Sequence, residues 1–458
     1  MSLKTFLKSK INKKNYFLIL VEWCYIKLRK LLSFIFEPEP AKVSLNFSFT
    51  DLDKKITTSS YVSKKNHGLL HRYLKNYSGI SLSYMEKLLD AAYQVWLFPN
   101  KPNSLEIELI KLTQLIPSSS LPTSRWLSLY DISFNCGLLN LIILLREKAI
   151  ESAYVDLKIR PNNKFSIIVA FKAAVEQKKF LYANKLLENL KKLTLKSQII
   201  QEYELFLLSQ RGKCLSKETN KYFLAIIRKP ETQFFKKLIE NKTIAIVGPA
   251  PNNEFSGEEI DSYDIVIRNN YIGSEKLGDY IEFGKRTDIS YYNNFNCFNI
   301  NKEKNFSFFN DLKACAFKSF NYPFQLDFLE RKFAHKMIRP RLFFNGYSLL
   351  GANIIYDILH YSPSKIKVFN TNLYLTENLY NEKLLNNSEA LLGSKIENLS
   401  SEIFKTFPYH DLISHYNFLN NIFTSPNITC DRTLKNILEM DLDKFLKKVK
   451  EIYLTSKA

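Results

Sequence analysis

Glycine is scarce in this chain: 12 in 458 residues. Seven of the 12 fall between Gly248 and Gly351. Such clustering marks the stretch where backbone must turn tightly or approach a ligand. Paired cysteines are missing as well. Cys24, Cys136, Cys214, Cys297, Cys315 and Cys430 stand singly, with no C-x-x-C and no zinc spacing. That excludes the common zinc and dithiol motifs and reads as reduced thiols of an intracellular protein. Neither G-x-G-x-x-G nor G-K-[ST] occurs, so a dinucleotide fingerprint is disfavoured and a P-loop is excluded. No recognisable nucleic-acid module is present.

Near the N-terminus, 16–36 is rich in apolar and aromatic residues but is interrupted by Glu22, Lys27, Arg29 and Lys30. Its uncharged run, Asn15 to Val21, is far short of the ~20 residues of a membrane span. No small-residue cleavage site follows, so a signal peptide is not expected. A basic amphipathic helix on an anionic membrane and a helix packed on its own protein are both open readings. The first implies a cytoplasmic protein lying peripherally on the inner membrane.

What is present is a large apolar fraction, 46%, enough for a substantial core, and a net charge of +20. The charge favours an anionic partner. Its lysines are also scattered through Asn-, Ile-, Phe- and Tyr-rich sequence, as compositional bias would leave them. A chain of this length predicts two or three domains.

Residues 1–40 are the basic amphipathic segment, ending at Glu37-Pro38-Glu39-Pro40, and 41–67 read as a linker. From 68 to 230 the pattern is helical. Leu74, Leu82, Met85, Leu88, Leu89, Ala92 and Val95 step at three and four residues, and Pro99, Pro102, Pro117, Pro122 and Pro161 punctuate the run. The segment from Phe171 through Phe180 and Ala183 to Leu187 predicts a helix, a tight polar turn and a second helix. It weakly resembles a tetratricopeptide-like hairpin, with no clean 34-residue repeat. A short solenoid and an irregular bundle are both open. The expected role is docking, or holding a catalytic domain near a membrane or an acceptor. Lys229-Pro230 reads as the start of a hinge, Phe234 to Glu240 as a short amphipathic helix, and 241–458 as an α/β domain.

The α/β domain opens with the apolar strand Ile244–Val247, which stops at Gly248. Ligands of open α/β sheets bind at such strand ends, and the glycine is expected to leave amides pointing outward. Ile260-Asp261 precedes the strand Ile265–Ile267, which closes in Arg268-Asn269-Asn270. Gly284-Lys285-Arg286-Thr287 precedes the strand Ile289–Tyr292. An Asn at a strand's carboxyl end can read a base or ribose through paired donor and acceptor groups. Downstream, Phe343-Phe344-Asn345-Gly346-Tyr347-Ser348 leads into an apolar helix ending at Leu359. The strand Ile366–Phe369 then ends at Asn370-Thr371-Asn372. A helix start near Ser348 suits a phosphate, with Ser348 capping the helix and touching that phosphate, or acting as a plain cap. Last, Pro408-Tyr409-His410-Asp411 opens a further helix. A histidine is a natural general base near neutral pH. His335, His360, His67 and His71 read as structural.

In order and spacing these segments resemble the large, small and very small motifs of the sialyltransferases, glycosyltransferase family 29. The resemblance implies a Rossmann-like, GT-A-variant domain behind an all-α helical-hairpin region. It implies an inverting, metal-independent glycosyltransferase that moves sialic acid or a related sugar from a CMP-sugar to a glycan or glycolipid hydroxyl. His410 falls on the general-base position. Gly248, Asn270, Tyr347, Ser348, Asn370 and Asn372 are the expected nucleotide contacts. The chain departs from the family at Pro249-Ala250, at Tyr347-Ser348 and at His415, which stands where Glu is usual. It also lacks the disulfide of animal members, since Ile244 and His360 lie near those positions. No cofactor is expected besides the donor, and no metal. Asp51–Asp53 lies in the linker, and Asp441–Asp443 starts a helix where acids favour the dipole. A degenerate domain serving as a nucleotide-binding or scaffolding protein is the alternative, as is a transferase using another nucleotide-sugar.

Overall fold

The structure is a computed structural model. It describes residues 103–135, 137–193, 197–212, 230–293, 307–318, 334–375, 407 and 409–455. The N-terminal amphipathic segment, the linker with Asp51–Asp53, His67, His71 and the first helical stretch lie outside the described residues. So do Cys24, Cys136, Cys214 and Cys297.

Seven strands form one parallel sheet. They are β1 (Thr243–Val247), β2 (Ile265–Asn269), β3 (Ile289–Tyr292), β4 (Ala314–Phe317), β5 (Ala334–Lys336), β6 (Lys365–Phe369) and β7 (Ile428–Cys430). The order is β5-β4-β3-β2-β1-β6-β7, with every neighbouring pair parallel. The chain therefore winds outward from β1 in one direction and then reverses to place β6 on its other side. That reversal is a topological switch point, and ligands of such sheets bind outside the carboxyl ends of the strands.

The apolar runs are continuous because both faces of the sheet are covered. Ile244, Ile246, Ile265, Ile267, Ile289, Tyr291, Ile366 and Val368 face the main core. Ala245, Val247, Val266 and Phe369 face the other way and pack with Ile260, Tyr263 and Phe283. Alternation of side chains along each strand divides the residues between the two layers.

Seven described α-helices precede the sheet: Asn103–Leu115, Thr123–Asn135, Leu139–Ile159, Lys164–Glu176, Phe180–Lys192, Ser197–Gln210 and Pro230–Ile239. Pro117, Pro122 and Pro161 fall in the connections between them. The expected hairpin is present. Asn163 caps the Lys164–Glu176 helix through the Ser166 amide, 3.0 Å, and Lys178 takes φ 57° in the turn. These helices share the main core with the sheet. Phe206 lies among Phe343, Tyr356 and Phe418, with ring centroids 6.3–6.4 Å apart. The described residues belong to one compact unit. The short amphipathic helix expected over Phe234–Glu240 is present and begins earlier, as Pro230–Ile239. Its Phe235 is buried and stacks on the His335 ring at 4.1 Å.

Two histidines are structural. His335 Nε2–H donates to Asp357 Oδ2 at 2.9 Å. The same carboxylate accepts the Tyr291 hydroxyl at 2.6 Å and the Ile338 amide at 2.7 Å, which ties β5 and the chain beyond it to the Leu350–Leu359 helix. His360 Nδ1–H donates to the Tyr356 carbonyl, and burial pushes its pKa down to about 4. Among the described residues no helix is long and apolar enough to cross a membrane.

Candidate functional site

A small open cleft lies at the carboxyl ends of β1 and β2. Gly248, Arg268, Asn269, Asn270, Tyr271, Gly273 and Lys276 are among its lining residues. Asn270 sits in the left-handed region, φ 51°, and its amide donates to the Tyr291 carbonyl at 2.9 Å. Its Oδ1 accepts the Asn293 amide at 3.3 Å. Its side-chain nitrogen has no partner among the described residues, which leaves a donor at the cleft wall. Gly248 differs from expectation. Its amide donates to the Phe369 carbonyl at 2.8 Å, and the Ala250 amide donates to the Asn370 carbonyl at 3.1 Å. The turn spends these amides on the end of β6 instead of leaving them outward. Glycine is required because a Cβ would collide with the Asn370 carbonyl and the Thr371 side chain.

Most of the polar residues in this first motif hold backbone in place. Asp261 accepts the Lys285 amide at 2.8 Å and the Arg286 amide at 3.0 Å, next to Gly284 at φ 71°. Arg286 returns the grip by donating to the carbonyls of Asp261 and Tyr263, both at 2.7 Å. Arg268 is buried, and donates to the carbonyls of Arg286 at 3.0 Å and Phe283 at 2.5 Å. Burial pushes its pKa down to about 10, so it remains a cation. Asp261→Ala is expected to cost about 1.5–3 kcal/mol, the range for hydrogen bonds to a charged acceptor. Urea denaturation checks it. Parental stability with lost nucleotide binding would instead make Asp261 a ligand contact.

The second constellation lies on the loop from β5 into the Leu350–Leu359 helix. That helix is the crossover between β5 and β6, so its N-terminus lies at the carboxyl edge of the sheet. His410 Nδ1–H donates to the Tyr347 carbonyl at 3.1 Å. A carbonyl only accepts, so the proton is on Nδ1 and the lone pair is on Nε2. The Tyr347 amide donates to the Tyr409 carbonyl at 2.9 Å, and the two tyrosine rings lie 4.9 Å apart. Burial, followed by the neighbouring His415, pushes the His410 pKa down to about 3. The imidazole is therefore neutral near pH 7. His415 beneath it is fixed from both sides: Nδ1–H donates to the Asp411 carbonyl at 3.0 Å, and Nε2 accepts the Leu349 amide.

Ser348 is not the helix cap. Leu349 holds that position, and the buried Ser348 hydroxyl donates to Asn353 Oδ1. Asn370 and Asn372 are buried too. The Asn370 amide donates to Asp431 at 2.6 Å, and Asn372 Oδ1 accepts the Tyr374 amide at 2.9 Å in a local turn. Burial raises the Asp431 carboxyl to about 6 despite the amides of Leu434 and Asn370. Asp441 caps the Leu442–Lys450 helix through the Lys444 amide at 2.7 Å. The expected contacts thus divide into two groups. Gly248, Asn270 and Asn370 gather at β1, β2 and β6, while Tyr347, Ser348 and His410 gather at the crossover helix.

Sequence reading missed Lys318, which directly follows β4 and acts electrostatically on His410. Burial and the nearby Arg339 push the lysine down to about 8. It also missed Asp411, Arg146 and Tyr130. Arg146 had a visible signal: it occupies the apolar face set by Leu139, Ile142, Ala149 and Ala153. Compared with models of protein families, with curated proteins and with solved structures, the chain matches none.

Proposed function

We propose that the protein is a sialyltransferase-like glycosyltransferase on a GT-A-variant sheet, moving sialic acid or a related sugar from a CMP-sugar to a glycan hydroxyl. The observation that carries the reading is the His410 imidazole: neutral, with Nδ1–H held on the Tyr347 carbonyl and Nε2 left as a proton acceptor. Nε2 takes the proton of the acceptor hydroxyl. The hydroxyl oxygen attacks the anomeric carbon, the bond from that carbon to the phosphate oxygen breaks, and CMP leaves with the electron pair. Attack opposite to departure inverts the centre.

Distances support this division of labour. The β1–β2 cleft and Lys318 at the end of β4 are two strand spacings apart, on the order of 10 Å. Lys318 acts on His410 from the end of β4, and a cation there is suited to offset the negative charge of a departing phosphate. The net charge of +20 supports anionic substrates and an anionic membrane surface.

Engagement of the Gly248 amide and the Ser348 hydroxyl within the protein favours the second reading, a domain that no longer transfers. Thermal stabilisation by CMP, CDP, UDP and GDP, each with and without divalent metal, tests both. CMP at 100 times its Kd is expected to stabilise by about 2.7 kcal/mol without metal. Stabilisation by UDP or GDP alone points to another donor. No shift with any nucleotide removes the transferase reading.

A further inference from the structure

Asp411 follows His410 directly and holds φ 26°, ψ 88°. A residue stays in so sparsely populated a region only where its surroundings over-determine it. Here the carboxylate is fully buried and met by four donor atoms. Oδ1 accepts the Tyr130 hydroxyl at 2.6 Å and Arg146 Nη1 at 3.2 Å. Oδ2 accepts Arg146 Nη2 at 2.8 Å and the Ser414 hydroxyl at 2.6 Å. Arg146 is braced in turn. Its Nε donates to Glu176 at 2.8 Å, and its guanidinium stands 5.2 Å from the centre of the Tyr130 ring.

Tyr130 and Arg146 come from the Thr123–Asn135 and Leu139–Ile159 helices, 281 and 265 positions from Asp411. A two-pronged Arg–carboxylate contact fixes the plane of the carboxylate as well as its place. Buried ion pairs are a poor source of stability, and their best-attested use is to select one geometry. The residue whose geometry this one selects is the neighbour of Asp411, His410.

We propose that Arg146, with Tyr130, is a positioning residue for His410, so that the helical region forms part of the catalytic unit. The inference rests on His410 being the base. Asp411 anchors the peptide on one side of His410, and the Tyr347 carbonyl anchors its ring on the other. Loss of either anchor leaves the imidazole free to rotate or shift, and a misplacement of about 1 Å costs on the order of 100-fold in rate.

The test uses the full chain. Arg146→Met is expected to lower kcat about 100-fold, with donor KM and the CMP thermal shift within about twofold of the parent. Arg146→Lys keeps the charge but loses the fork, and is expected to recover less than about tenfold. In histidine-selective 15N spectra, the Nδ1–H tautomer of His410 gives way to a tautomer mixture. Glu106→Ala is the control. Glu106 accepts the amides of Asn140 and Leu141 at 2.8 and 3.2 Å, so its loss loosens the start of the same helix without touching Asp411. Its kcat and His410 signal are expected to stay parental. If Arg146→Met does not fold, Tyr130→Phe removes a single hydroxyl and carries the same readouts. A folded Arg146 or Tyr130 variant with parental kcat and tautomer overturns the proposal. So does an equal kcat loss in Glu106→Ala. Full transfer by His410→Ala would remove the base assignment instead, and the tautomer readout would still decide whether Arg146 sets the ring.

Discussion

His410→Ala is expected to lower kcat by about 10^2–10^4, the usual share of a positioned general base, while CMP stabilisation persists. Binding persists because the β1–β2 cleft and the imidazole are carried by different elements. The pH dependence is the sharper part of this prediction. The working form is the neutral imidazole, and its pKa is pushed down to about 3. As pH falls, the base is lost only near that value, so the acid limb of kcat/KM lies below pH 5 instead of near 6.5. So weak a base does not strip a free sugar hydroxyl. It accepts the proton late, once the new bond to the anomeric carbon has made that hydroxyl acidic. Stability follows the same ring with its own sign. The folded pKa lies below the unfolded one, so the unfolded chain binds more protons between them, and stability drains away as pH falls from about 6.5 toward 3. His410→Ala is expected to soften that loss. Full transfer by His410→Ala, or an acid limb at 6.5, would sink the base assignment.

The fold was legible where strands are built of β-branched and aromatic residues. β1, β2, β3 and β6 are four or five residues each, buried on both faces, and they stop at glycine or asparagine. β4, β5 and β7 read Ala-Cys-Ala-Phe, Ala-His-Lys and Ile-Thr-Cys. β4 is as long as β3, but its alanines carry little strand preference, and β5 and β7 have three residues each; such runs become strands only through pairing with a neighbour, which no local pattern announces. The candidate site was legible at its nameable residues and misread in their roles. Gly248 was expected to leave amides outward and Ser348 to cap a helix, yet the Gly248 amide meets the Phe369 carbonyl and the Ser348 hydroxyl meets Asn353; Arg268, Asp261 and Arg286 carried no assigned role. In the structure they meet backbone carbonyls and amides. The apolar run ending at Gly248 located the turn without revealing where its amides go. The Arg146–Asp411 contact joins positions 265 apart, and no periodicity links them. Only the Arg on an apolar helix face hinted that a buried partner existed.

Gly346→Ala is expected to cost about 2–5 kcal/mol, and the reason lies in what the new methyl meets. Gly346 holds φ 67°, where an L side chain costs about 1–2 kcal/mol. Its Cβ would stand 2.7 Å from Asp411 Cβ, 2.8 Å from the Asp411 amide nitrogen and 3.0 Å from the Tyr409 carbonyl. Overpacking of this kind costs about 1–3 kcal/mol, at the upper end when the obstacle is backbone. Asp411 cannot yield, because Arg146 and Tyr130 hold it from behind. The loop bearing Gly346 must move instead. That movement withdraws the Tyr347 carbonyl from His410 and the Leu349 amide from His415. Turnover should therefore fall together with stability, while donor KM changes little. Five residues on, the opposite result is expected. A Cβ at Gly351 meets nothing within 4 Å, and the residue lies in the first turn of the Leu350–Leu359 helix. Gly351→Ala should stabilise by up to about 1 kcal/mol through helix propensity alone. Urea denaturation and initial rates on the two variants separate a glycine required by close approach from one that is not. Equal stability of the two would show that Gly346 is not clamped against Asp411.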